Sequence, residues 1–263
     1  MATVVSVSGK GGAGKTTSVA LLLDELALAQ YPGRILAIDA DPAMTLHLAL
    51  GFQAPAATLA TVRDSLAGLE NRQVQNLPGG VGQYVIEQLQ QQQALSRRQV
   101  RTLPVDMLSM GGGEGQPGCY CRINNTLSLV VEKLVGNYDL VLVDNEAGME
   151  HLSRHRIKHV DYFVTVTGDS QASQVVGQRL LQVALDVGLE IGELVYIHVL
   201  SSPHSMPPRD IEGGLAYMLI TVPYSDMARR LAEIAPVVVL DSEHPMRTAL
   251  RPLVERLMNE YGG

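Results

Sequence analysis

The stretch "GKGGAGKTT", residues 9–17, decides how the rest of the chain is read. It follows the short β-branched run "ATVVSVS" (2–8) and leads into "TTSVALLLDELALAQ" (16–30), whose apolar residues recur at helical spacing. The spacing fits G-x-x-x-x-G-K-[ST], with Gly9, Gly14, Lys15 and Thr16 at the defining positions. Glycines in such a turn let backbone N–H groups face inward, and the helix N-terminus adds partial positive charge. Gly9, Gly11, Gly12, Ala13, Gly14, Lys15, Thr16 and Thr17 therefore form a candidate cradle for nucleotide phosphates. Lys15 is placed to reach the β- and γ-phosphates, and the Thr16 hydroxyl to ligate Mg²⁺. The alternative is a bare glycine turn, and the strand–turn–helix setting argues against it.

Further strands are expected at "RILAIDAD" (34–41), "DLVLVDNEAG" (139–148), "YFVTVTG" (162–168) and "LVYIHVLSS" (194–202), with a late short one at "PVVVLD" (236–241). Helical patterns separate them, notably "QASQVVGQRLLQVALDVG" (171–188), and "HPMRTALRPLVERLMNEY" (244–261) reads as a closing helix. Strands alternating with helices predict an α/β domain with a mostly parallel sheet flanked by helices. Ligands then bind beyond the C-terminal ends of the strands. Residues 53–100 are rich in Ala, Gln and Arg. Leu89, Ala94 and Leu95 break up the glutamine tract "EQLQQQQALSRRQ", so the segment is expected to be an exposed helical part of one domain spanning 1–263.

The bulk composition narrows the function classes. The 263 residues are 46% hydrophobic and 18% charged, with no Trp, as in an ordinary globular protein. A formal net charge of −7 argues against broad electrostatic binding to nucleic acid or anionic lipid. "MATVVSVSGK" has no charged n-region, and no apolar run approaches the roughly 20 residues of a membrane span. The expectation is a cytoplasmic protein with reduced thiols. There a close cysteine pair is more often metal-binding or redox-active than a structural disulfide. Cys119 and Cys121 are the only two cysteines, one residue apart in "GGGEGQPGCYCRINN" (111–125).

Lys10 adds a second layer. The variant K-G-G-x-G-K-T-T resembles the deviant P-loop of the dimeric ATPases that include nitrogenase iron protein, the septum-site and partition ATPases and the tail-anchored targeting factor. The resemblance implies Mg²⁺-dependent ATP hydrolysis by a homodimer, with Lys10 reaching the partner's nucleotide as an arginine finger does. The plainer reading is a solvated loop lysine, although the chain has only four lysines. In that family the strand-end acids of "AIDADPAM" (37–44) form the first switch: Asp39 would support Mg²⁺ and Asp41 would position the attacking water. "LVLVDNEAGMEH" (140–151) would be the Walker B strand and second switch, with Asp144 holding Mg²⁺ through water and the Gly148 amide sensing the γ-phosphate. "TVPYSDM" (221–227) resembles the family's segment beside the base, which places Pro223 there. Where the family often carries Asn after a late strand, this chain has His198, a departure that leaves the base contacts open.

One branch is more similar still. Cys-x-Cys near the middle and "EAG-x-EH" at the second switch look like the CooC-type accessory ATPases that insert nickel into carbon monoxide dehydrogenase. The resemblance implies apo carbon monoxide dehydrogenase as partner. Two thiols at i and i+2 face the same way in an extended link, so each chain supplies two sulfurs. A two-fold dimer supplies four, which suits tetrahedral Zn²⁺ or thiolate-bound Ni²⁺. A strained disulfide and a redox pair are weaker alternatives, the latter usually C-x-x-C. An iron–sulfur ATPase that donates electrons is the first rival. The iron protein's cysteines, however, come from separate places in the chain. A positioning ATPase is the second rival, against which stand the acidic charge and the lack of a basic amphipathic C-terminal helix. His151, His155 and His159 fall at i, i+4 and i+8, along one face if helical. Surface or interface histidines are the commoner reading of such a row, and metal binding the sharper one.

Overall fold

β1 (Thr3–Gly9) lies inside a sheet, hydrogen-bonded in parallel to β5 (Leu140–Asp144) on one side and β6 (His159–Gly168) on the other. The computed structural model describes residues 2–67, 77–111, 131–145, 158–205, 217–234 and 236–261. β2 (Ile35–Asp39) pairs with β5 and with β4 (Leu103–Ser109), and β3 (Leu95–Val100) runs antiparallel on the outside of β4. β7 (Glu190–Val199) and β8 (Tyr217–Val222) extend the other side, giving the order β3-β4-β2-β5-β1-β6-β7-β8. Every described pairing except β3–β4 is parallel.

β2 and β5 are buried along their whole length, as expected of parallel strands covered on both faces. Alternation sorts β1: Val5 and Val7 face one core with Leu21, Leu23 and Leu26 of α1 (Lys15–Leu28), while Val4 faces the other with Leu36, Val141 and Phe163. Each such side chain, fully buried, contributes roughly 1.5–3 kcal/mol relative to exposure. α2 (Leu46–Ala49), α3 (Leu59–Ala67) and α4 (Gly80–Gln91) follow β2 in the chain, and α5 (Gln171–Asp186) joins β6 to β7. α6 (Asp226–Ile234), α7 (Pro245–Thr248) and α8 (Arg251–Tyr261) come after β8.

Several expectations need correction. The run "PVVVLD" is not a strand; Val237–Val239 make a 3-10 turn. Val237 and Leu240, three apart, turn into the core while Val239 stays 56% exposed, so packing overrides β propensity. The closing helix is two helices, because Pro252 offers no N–H to continue the first. The glutamine-rich helix ends at Gln91, and Leu95–Val100 is an edge strand whose Arg97 and Arg98 suit a solvent-facing sheet border. His159 opens β6, so it does not continue a helical row of histidines.

α1 also buries charge. Arg247, fully buried, donates through Nε to Glu25 Oε1 at 2.8 Å, through Nη1 to the Leu240 carbonyl at 3.0 Å, and through Nη2 to Asp24. Arg101 Nε donates to Asp24 Oδ1 at 2.7 Å, and Arg251 Nε to Glu25 Oε2 at 3.3 Å. These bonds fasten the glycine-loop helix to the β3–β4 turn and to the segment 240–251.

Candidate functional site

The glycine loop follows β1 as the spacing predicts, and two of its glycines have geometric reasons. A Cβ on Gly9 would stand 2.3 Å from the Val166 carbonyl oxygen, so the strand end has no room for a side chain. Gly14 caps α1 at φ 96° with no side-chain hydrogen bond. The first N–H groups of α1 thus keep their donor capacity at the loop, where an anion can take them. Lys15 Nζ lies 3.5 Å from the Lys10 carbonyl oxygen, while the Lys10 side chain is exposed.

Asp39 and Asp144 are register partners at the ends of β2 and β5. Thr16 Oγ1 donates to Asp144 Oδ2 at 2.6 Å. Asp39 accepts from the Leu46 amide at 3.1 Å and the Asp41 amide at 3.3 Å, and Asp41 accepts from the Ala43 amide at 2.9 Å. Burial pushes the Asp144 carboxyl up to about 7, helped by Asp39 and opposed by Thr16 and Lys15. Burial likewise pushes Asp39 up to about 6, against its two backbone hydrogen bonds.

Asp144 Oδ1 is buried with no hydrogen-bond partner among the described residues. Two buried carboxylates side by side, one with an unused oxygen, next to a hydroxyl, make an all-oxygen donor set of the kind Mg²⁺ takes. The residues present fit that ion, with Thr16, Asp39 and Asp144 as the groups to hold it directly or through water.

Beyond the loop lies a cavity of about 290 Å³. One wall is the loop and helix start (Gly12–Gly14, Thr17 and Ser18), the second the ends of β7 and β8 (Val199–Ser201 and Val222–Ser225), the third Ala228, Arg229, Met246 and Leu250. Its lining is largely apolar with a few polar groups, as small-molecule sites are. Pro223 lines it. Ser201, Ser225, Arg229 and Met246 carry no motif signal, and only the packing of β7, β8 and the later helices reveals them.

His198 does not line the cavity. It is fully buried, with Nδ1 3.2 Å from Thr167 Oγ1 and Nε2 3.1 Å from Asp169 Oδ1. Asp169 Oδ2 accepts from the Ser201 amide at 2.6 Å, from the Ser205 hydroxyl at 2.6 Å and from the Ser201 hydroxyl. Burial raises the Asp169 carboxyl, but these hydrogen bonds outweigh it and hold the group down at about 2. The histidine thus supports, through Asp169, the loop that edges the cavity.

Cys119, Cys121, Gly148, His151 and His155 lie outside the described residues. Among the described residues no group of three or more His, Cys, Asp or Glu is arranged to hold a metal ion, and no helix is long and apolar enough to cross a membrane. His159 Nε2 lies 3.1 Å from Asp161 Oδ1 at the opposite end of β6 from the cavity.

The sequence model of a family described as an AAA domain matches residues 1–187. An uncharacterized ATP-binding protein of Methanocaldococcus jannaschii is 32% identical over 194 residues, 74% of this chain and 73% of that one. The carbon monoxide dehydrogenase accessory protein CooC of Rhodospirillum rubrum is 28% identical over 192 residues, 71% of this chain and 70% of that one. Among solved structures, the cell division ATPase MinD of Pyrococcus furiosus superposes with a TM-score of 0.65 at 25% identity, covering 99% of this chain and 100% of that one.

Proposed function

The chain belongs to the AAA domain family of P-loop proteins, and from that premise we propose that it is a dimeric, Mg²⁺-dependent ATPase that assists nickel insertion into carbon monoxide dehydrogenase. The observation that carries the ATPase reading is the Thr16–Asp144 hydrogen bond beside a free carboxylate oxygen, at the mouth of a glycine loop that opens onto a cavity. The amides at the start of α1 and Lys15 bind the β- and γ-phosphates. When bound, Mg²⁺ supplies charge neutralisation across those oxygens. Asp41, whose carboxylate accepts from the Ala43 amide, orients the attacking water, and Lys10 of the partner subunit stabilises charge on the leaving phosphate oxygens.

The nickel reading rests on Cys119 and Cys121 together with the likeness to CooC. Paired across a two-fold axis, the four sulfurs would carry Ni²⁺ or Zn²⁺, with Ni²⁺ the cargo. Phosphate release from Mg-ATP by wild type and Lys15→Ala tests the first part, and turnover unchanged by Lys15→Ala would refute it. Nickel-dependent activation of apo carbon monoxide dehydrogenase, with Cys119→Ser as control, tests the second.

The likeness to MinD over nearly the whole chain favours a second reading, a positioning ATPase. Co-sedimentation with anionic vesicles that depends on ATP, in protein that binds no nickel, would select it.

A further inference from the structure

We propose that Ser225 is a nucleoside-specificity residue, a hydroxyl donor whose direction is fixed by His244. The inference rests on the nucleotide reading of the cavity and deepens it.

Ser225 sits between β8 and α6 and lines the cavity. Its Oγ accepts from the Ala228 amide at 3.1 Å, capping α6. The same Oγ is 3.1 Å from His244 Nε2. The roles in that contact follow from the far side of the ring. His244 Nδ1 accepts from the Met246 amide at 3.3 Å, as the cap of α7. A neutral imidazole with Nδ1 accepting carries its proton on Nε2, so Nε2 donates to Ser225. Ser225 Oγ then accepts two hydrogen bonds, and both of its lone pairs are in use. Among the described residues its own proton has no partner, and the cavity that Ser225 lines is where an acceptor can meet it.

A donor fixed in this way discriminates. Its complement is an acceptor on the nucleoside, a ring nitrogen of the base or a ribose oxygen. A ligand lacking the acceptor leaves the donor unsatisfied, a loss on the scale of one hydrogen bond. His244 touches no ligand in this scheme and is a positioning residue. It also joins α7 to the start of α6, so the donor's direction depends on a residue 19 positions away.

The experiment is a set of binding titrations on the full chain with Mg-ATP and with its 1-deaza, 3-deaza, 7-deaza, 2′-deoxy and 3′-deoxy analogues. One analogue is expected to bind wild type roughly three- to tenfold more weakly than ATP, the scale of one neutral hydrogen bond. Ser225→Ala should bind ATP and that analogue equally, and Ser225→Thr, which keeps hydroxyl and cap, should restore the difference. The deaza and deoxy arms say whether base or sugar is read. His244→Leu retains the α6 cap and frees the hydroxyl to rotate, so it should shrink the same difference, and it serves if Ser225→Ala does not fold. Ser225→Ala, or His244→Leu in its place, discriminating among the nucleotides as wild type does would overturn the proposal. A wild-type chain that binds none of the nucleotides would instead overturn the ATPase reading.

Discussion

Thr16 Oγ1 donates to Asp144 Oδ2 across 128 residues of sequence at 2.6 Å. The bond joins the first turn of α1 to the end of β5, so the glycine loop and the acidic strand end are held as one piece before any ligand arrives. Asp144 Oδ1, buried and without a partner among the described residues, is left as the acceptor of that piece. A buried carboxylate with an unused oxygen is costly unless a cation or water takes it.

Removing either member of this pair should therefore affect turnover more than folding. Thr16→Ala and Asp144→Asn are expected to lower Mg-ATP hydrolysis by on the order of a hundredfold or more, the scale of losing one electrostatic stabiliser. Steady-state phosphate release with thermal denaturation in parallel is the check; equal kcat in the variants and wild type would count against the assignment.

The proposed trans role of Lys10 predicts complementation. Lys10→Ala chains mixed with Asp41→Ala chains should regain part of the activity that each homodimer lacks, because one of the two composite sites is then intact. If Lys10 acts within its own chain, verified mixed dimers will stay inactive.

For the cysteine pair, metal titration with light scattering should give one Ni²⁺ or Zn²⁺ per dimer, with dimerisation promoted by metal. Cys119→Ser or Cys121→Ser should abolish tight binding and leave ATP binding intact. One metal per monomer, unmoved by either change, would eliminate the shared site.

Arg247 is fully buried against Asp24 and Glu25. Arg247→Met strips that partner from both carboxylates and should cost about 3–5 kcal/mol, read from urea unfolding. Arg101→Met should cost less, since that side chain is 38% exposed and Asp24 retains Arg247.

The Asp169 carboxyl sits at about 2, below its ordinary 3.8. A depressed carboxyl stabilises the fold above its unfolded value, and that contribution is lost as pH falls toward the folded one. The Tm deficit of Asp169→Asn relative to wild type should be full above about pH 5 and shrink toward about pH 2. A deficit constant over that range would show that the charge is not what Asp169 contributes.

What the sequence disclosed was whatever is local or buried on both sides. "LVLVD" and "ILAID" read as strands because parallel strands covered on both faces are continuous apolar runs. The glycine loop is legible because its geometry is set within nine residues. The β3–β4 hairpin was hidden: β3 is polar at the sheet border, and β4 carries Pro104 and Asp106. "PVVVLD" misled because β-branched composition says nothing of whether a neighbouring strand exists. The cavity's far wall was illegible, since Met246 and Leu250 come to line the same cavity as Gly14 only through tertiary packing, and so were the buried acids of α1, whose partner Arg247 lies 222 residues beyond Glu25.

That separation has a consequence for how the molecule is made. The phosphate cradle is complete by residue 17, yet Glu25 has no buried guanidinium until residue 247 has been added. At roughly 5–20 residues per second the interval is about 10–45 s. Over that time Asp24 can pair with Arg101, but α1 carries in Glu25 a carboxylate that cannot be sealed in the core without a large desolvation cost. The helix of the glycine loop is thus expected to dock late in synthesis, although it is translated early. Ribosome-stalled chains ending before Arg247 should remain open to proteolysis within 15–28, and chains extended past Leu250 should become resistant there.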